Sequence, residues 1–252
     1  MKFWQTAENK LQKPFAMQQN NINILCTRPL DQQFINKAEG HGIHITALPF
    51  IEIKLVESTS FFQLVSHFAS QKINAVFTSV NAVESVAKPI DENPDWKIFC
   101  IGGITKDAVS KHFGESSIAA SAKNASLLAR KIIADNIKEI IFFCGDQRLD
   151  DLPETLRSNN IRVHEVIAYH TLQTPHFMQE DYDSIMFFSP TAVHSFFSVN
   201  TIPINIVLFS IGKTTTAVIQ TYCVNKVVTS EWPGQESLLE KIFEHYKKVS
   251  SE

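Results

Sequence analysis

The stretch FTSVNAV, Phe77 to Val83, closes an apolar run on small polar residues and turns at once into a helix-forming segment. The same arrangement returns as FFSPTAV, Phe187 to Val193. At this offset of 110 residues Phe, Ser, Ala and Val coincide, and Ser85 falls on Ser195. FCIGGIT (99–105) meets FSIGKTT (209–215) at the same offset, and SLL at 126–128 meets SLL at 237–239 after a one-residue slip. Earlier in each half, NILCTRPL with GIHITALPFIEI resembles IIFFCGDQRL with NIRVHEVIAYHT at an offset near 118. One short apolar–serine motif recurs easily by chance, but several at a single offset do not. The chain therefore reads as two kinds of unit in the order A–B–A–B.

Working outward, short apolar runs alternate with amphipathic stretches. Strands are expected at 22–27, 73–79, 96–102, 116–121, 139–145, 184–189, 204–212 and 225–230. Helices are expected at 30–42, 60–70, 81–88, 104–113, 124–136 and 149–160, with a helix after each of the last three strands. The segments 43–53 and 161–171 read as extended, and Pro49 cannot occupy a central ladder position. Strand and helix alternating in this way predict an α/β protein with two similar parallel-sheet domains. Open sheets of this kind bind ligands beyond the carboxyl ends of their strands. FTSVNAV, FFSPTAV, IGGIT and IGKTT are such ends. Each offers helix N-terminal amides suited to negatively charged groups, small side chains and hydroxyls.

Composition narrows the function. The 252 residues carry a net charge of −3 with no basic block, which argues against a nucleic-acid backbone as partner. No apolar run approaches the roughly 18–20 residues that cross a bilayer, and residues 1–21 read as a polar extension without a secretory apolar region, so a cytoplasmic location is expected. Cys26, Cys100, Cys144 and Cys223 are scattered without a CxxC pair, and the histidines show no HExxH spacing, so no metal is expected. Gly102, Gly145 and Gly212 belong to neither GxGxxG nor GxxxxGK[ST], which disfavours dinucleotide and P-loop sites.

TRP (27–29), VFTSVNAVES (76–85), IGGITKDAV (101–109), CGDQRLDDLPETLRSNNIRVHEVIAYHT (144–171), IMFFSPTAVHSF (185–196), SIGKTTTAV (210–218) and EWPGQESLLEKI (231–242), in this order and spacing, resemble the uroporphyrinogen-III synthase family over about residues 22 to 245. YHT sits where that family has its Y-x-T, and IGKTT where it has its G-x-T-T. The resemblance implies that the first and last chain segments, 22–52 and 173–252, build one domain and that 55–165 builds the other. Extended strands at 49–54 and 165–172 would form the hinge between them. It further implies a lyase that closes linear hydroxymethylbilane to a ring with loss of water. The last pyrrole is inverted through a spiro intermediate, and the implied enzyme is a monomer without cofactor or metal.

The resemblance marks Tyr169 as the candidate that assists loss of the hydroxyl; the alternative is that it positions substrate or packs in the hinge. Thr78, Ser79, Asn81, Gly102, Thr105, Gly145, Ser189, Pro190, Gly212, Thr214 and Thr215 are candidates for substrate contact. For Ser79, Ser189 and the threonines ordinary helix capping is the competing role. Arg148 and Lys213 could pair with substrate carboxylates, Arg148 bidentately, unless Asp150 or Asp151 holds it. Lys213 stands where the family commonly has a small residue. Arg28 resembles a family position and could equally tie down the first loop. Two rivals remain. One is a two-lobed anion-binding protein without catalysis. The other is a receiver-type domain, for which GDQRLDD spaces its acids poorly.

Overall fold

The computed structural model describes residues 22–232 and 234–249; the expected polar extension over 1–21 lies outside them. Along the chain the elements are β1 (Ile22–Cys26), α1 (Gln32–Glu39), β2 (Ile43–Ala47), β3 (Ile51–Leu55), α2 (Thr59–Ala69), β4 (Asn74–Phe77) and α3 (Val80–Ala87). Next come β5 (Lys97–Ile101), α4 (Ile104–Phe113), β6 (Ile118–Ala122), α5 (Ala125–Ala134), β7 (Glu139–Gly145), α6 (Asp151–Ser158) and β8 (Arg162–Gln173). The chain ends with β9 (Ser184–Phe187), α7 (Pro190–Phe197), β10 (Val207–Ser210), α8 (Lys213–Tyr222), β11 (Val227–Thr229) and α9 (Gln235–Val249).

The strands form two sheets. The first has the order β11-β10-β9-β1-β2, with every neighbouring pair parallel. The second has the order β3-β8-β7-β4-β5-β6, parallel except for the antiparallel β3–β8 edge. The repeated units explain both orders. Strands β1 and β2 lie beside β9, β10 and β11 as β7 and β8 lie beside β4, β5 and β6. Each sheet therefore joins one two-strand unit to one three-strand unit; the second sheet adds β3 at its edge, and the first draws its units from opposite ends of the chain.

Pro49 decides where the chain changes sheet. The extended run expected over 43–53 is two strands in different sheets, because proline lacks the N–H that a continuous ladder needs. Phe50, fully buried in the core of the first sheet, anchors the crossing. The return crossing is tied alongside it: the Thr174 amide donates to the Phe50 carbonyl at 3.0 Å, and the Thr174 hydroxyl to the Pro49 carbonyl at 3.2 Å. The strand expected over 204–212 also shortens, to Val207–Ser210. The side-chain amide of Asn225 donates to the carbonyls of Pro203 and Ile206 and holds the preceding residues in a turn.

The parallel part of each sheet carries a buried core on both faces, while the antiparallel β3–β8 edge is largely exposed. Strand alternation sends Phe77 and Phe143 of the second sheet to one face and Val76 and Phe142 to the other. Phe143 stacks on Phe77 at 5.2 Å and on Trp96 at 5.7 Å, beneath α2, α3 and α4. On the opposite side Leu128, Ile132, Leu152 and Leu156 of α5 and α6 cover Phe142. In the first sheet Ile24, Met186 and Phe209 meet Leu238 and Ile242 of α9, while Leu25, Phe187 and Leu208 meet Val193, Phe196 and Ile219 of α7 and α8.

Candidate functional site

The carboxyl edge of the second sheet gathers residues from three neighbouring strands. Its chain connections diverge between β4 and β7, since β4 leads towards β5 and β7 leads away to β8. This is the switch point at which such sheets bind ligands. Thr78 and Ser79 follow β4, Gly145 ends β7, and Tyr169 faces Gly145 across the β7–β8 ladder, where the register slips by one residue. The slip brings Tyr169 opposite Gly145, and its ring lies over the end of β7. A Cβ on Gly145 would overlap that ring and stand 2.8 Å from its hydroxyl oxygen. Glycine is required here by close approach.

Tyr169 is half-buried and packs against the α2–α4 core. Burial pushes its phenol above the usual value near 10. A hydrogen bond with the Ser79 side chain pulls against that rise, and the nearby Cys144 and Asp146 add to it. The phenol therefore stays protonated at neutral pH and can donate. Ser79 also caps α3, its hydroxyl oxygen accepting from the Asn81 amide at 3.2 Å. Capping and proximity to the phenol coexist in one side chain. Sequence reasoning missed Asp146, whose carboxylate accepts from the Thr171 amide at 2.9 Å and pairs with His170 at 3.1 Å. It clamps the end of β7 to β8 on the far side of Tyr169. Its position directly after the strand-ending Gly145 was the available signal.

The helices after β5 and β10 start alike. Gly103 precedes α4 in a left-handed conformation (φ 70°), Gly212 precedes α8 in extended backbone, and neither offers a side-chain cap. Ser58, Ser79, Asn124 and Ser189 cap four other helix starts, while Asp31 before α1 and Asp150 before α6 make no side-chain cap either. At the starts of α4 and α8 the orphan amides are left to other acceptors. The candidate hydroxyls divide. Thr105 and Thr215, repeat mates, turn inward and are buried at 5% and 3% exposure, so neither hydroxyl faces the edge. Thr214 and Lys213 are exposed. The Gly102 amide is taken by the Ala122 carbonyl at 2.8 Å. Ser189 caps α7, accepting from the Ala192 amide at 3.1 Å, with Pro190 in the first turn.

Arg148 is occupied. Its guanidinium pairs with both Glu165 and Asp150, and Glu165 also takes Arg157 at 2.6 Å. Asp150 was legible as a partner by its nearness in sequence; Glu165, on β8, was not. Thr78 and Asn81 are half-buried at the start of α3. Hollows of about 440 and 350 Å³ lie at the amino edge of the second sheet, around Lys72–Asn74 and the starts of β5, β7 and β8. No candidate residue lines them, and they sit opposite the edge where strand topology places ligands.

Fold and edge together define a doubly wound, two-sheet α/β protein with a protonated phenol at one switch point and uncapped helix starts at matching places in both sheets. Among the described residues no helix is long and apolar enough to cross a membrane. The family described as uroporphyrinogen-III synthase HemD matches residues 32–240. The chain belongs to that family of cyclising lyases of porphyrin and haem biosynthesis, which act on a tetrapyrrole. Two crystal structures share its fold. A variant uroporphyrinogen III synthase from the extremely thermophilic bacterium Thermus thermophilus has a TM-score of 0.63 at 13% identity, covering 92% of this chain and 100% of that one. Uroporphyrinogen-III synthetase from Helicobacter pylori has a TM-score of 0.64 at 14% identity, covering 89% and 99%.

Proposed function

We propose that this chain closes linear hydroxymethylbilane to uroporphyrinogen III, with loss of water and inversion of the last pyrrole through a spiro intermediate. The site is a cleft between two domains, 22–52 with 173–252 and 55–165, connected through 49–54 and 165–172. The observation that carries the reading is the convergence of Ser79, Gly145 and Tyr169 at the switch point of the second sheet.

Departure of the substrate hydroxyl leaves an electrophilic azafulvene. The Tyr169 phenol, kept protonated by burial, donates a hydrogen bond to the leaving oxygen. The uncapped starts of α4 and α8 offer amides to the substrate's carboxylates. The unassisted molecule closes without inversion, so the protein must favour one barrier over another, and each tenfold of preference requires about 1.4 kcal/mol. Holding a folded substrate by many backbone contacts suits that task better than one potent side chain.

The test is the isomer ratio after incubation with freshly generated hydroxymethylbilane. A product dominated by the inverted isomer supports the reading. Only the uninverted isomer, at the spontaneous rate, leaves a two-lobed anion-binding protein as the better account.

A further inference from the structure

The switch point of the first sheet holds an arginine that the proposed reaction has not used. Arg28 lies just beyond β1, and Phe188 directly follows the adjacent β9. The chain leaves these strands in opposite directions, towards β2 and towards β10, so this edge matches the one carrying Tyr169 in the second sheet. The Arg28 guanidinium carbon rests 4.2 Å from the centre of the Phe188 ring. Stacking on the ring restrains the plane of the fork. Its Nε is buried without an acceptor, and no carboxylate among the described residues comes within ion-pair distance of it.

The equivalent loop of the second sheet shows what a structural arginine does in this fold. Arg148 is held by Glu165 and Asp150, while Arg157 and Arg162 have Glu165 and Glu139. A buried cationic donor without an acceptor is costly, and no protein group among the described residues meets that cost at Arg28 Nε. We infer that Arg28 binds one side-chain carboxylate of the polycarboxylate substrate through its fork, with Phe188 as the positioning residue beneath it. This rests on the proposed synthase reading and adds a specific anchor in the first sheet.

Three full-length variants test it by steady-state kinetics with hydroxymethylbilane and by fluorescence titration with uroporphyrin, which carries eight carboxylates. Arg28→Gln should raise KM and the uroporphyrin Kd about 10–100-fold, the range of a charge-assisted hydrogen-bonded contact, with a smaller change in kcat. Phe188→Leu keeps the charge and should raise both severalfold, whereas Phe188→Tyr, which retains the platform, should stay near wild type. Values within about twofold of wild type for Arg28→Gln overturn the assignment. Should that variant not fold, phenylglyoxal labelling of the wild-type chain decides the matter. Uroporphyrin should protect Arg28 and leave Arg130 reactive, and equal labelling of Arg28 with and without uroporphyrin overturns it. The isomer ratio of the wild-type product reads the synthase proposal separately, so the two can fail independently.

Discussion

The ring of Tyr169 lies where a side chain on Gly145 would have to be: a Cβ there would stand 2.5 Å from its Cε2 and 2.8 Å from its hydroxyl oxygen. The contact joins the last residue of β7 to a residue of β8 across a register slip. The position of the candidate phenol therefore depends on the absence of one methyl group.

Gly145→Ala should cost about 1–3 kcal/mol, the usual range for overpacking, and lower the yield of cyclised product by displacing the phenol. Adding Tyr169→Ala should relieve the clash, so the double variant loses less stability than the sum of the single losses. Denaturant unfolding of the four proteins closes the cycle. A Gly145→Ala protein as stable and active as wild type would show that the ring moves aside freely.

Tyr169→Phe should retain more than about 1% of wild-type kcat, because general acid help begins near 100-fold and a phenol raised by burial is a weak acid. A larger loss with folding intact would make full proton transfer from Tyr169 the better mechanism. The shift also has a stability consequence. A phenol raised in the folded state stabilises the fold below its unfolded value, near 10, and that contribution is lost as pH rises through the higher folded value. Thermal midpoints from pH 8 to 11 should fall less steeply in Tyr169→Phe than in wild type. Tyr182 and Tyr246 and the buried thiols of Cys26, Cys100 and Cys144 are raised as well and contribute to the remaining slope.

Ser85 and Ser195 occupy the same place in the repeat but should respond oppositely to alanine. The Ser85 hydroxyl donates to the Val56 carbonyl at 3.2 Å, whereas the Ser195 hydroxyl is buried without a partner. Ser85→Ala should cost roughly 1 kcal/mol and Ser195→Ala should be neutral or stabilising, since the lone hydroxyl already bears its desolvation cost. In a chain of this size about 1 kcal/mol moves the thermal midpoint by roughly 2–4 °C. Equal destabilisation by both changes would contradict the account.

Asp146 should make part of the fold acid-sensitive. Burial works to raise its carboxyl, but the Thr171 amide and His170 outweigh it and hold it below the usual value. A lowered folded value stabilises the protein above the unfolded value near 4 and loses that effect as pH falls through the folded one. Asp146→Ala should therefore lower stability by about 1 kcal/mol at neutral pH and flatten the acid response below pH 4. An acid limb identical to that of wild type would assign the sensitivity elsewhere.

The alternation of strands and helices, the repeat, the edge turns and Tyr169 beside its family motif were all readable from local pattern and the spacing between motifs. Serine capping at 79 and 189 was readable too, because a cap acts within three residues of itself. The inward turn of Thr105 and Thr215 was not, since a hydroxyl in the first turn of a helix faces whatever the tertiary packing places beneath it. The occupant of Arg148 was hidden for a related reason, its partner Glu165 lying 17 residues away on another strand.

By itself the sequence determined that two kinds of α/β unit alternate, where each begins, and that Pro49 interrupts an extended run. These follow from side-chain periodicity and from a missing amide hydrogen, both local properties of the chain. Only the tertiary structure decided that β1 pairs with β9, that Arg28 reaches Phe188, and that Gly145 lies beneath Tyr169. Contacts between residues so distant along the chain are selected by the burial of both sheet faces at once, and no short stretch of sequence carries that information.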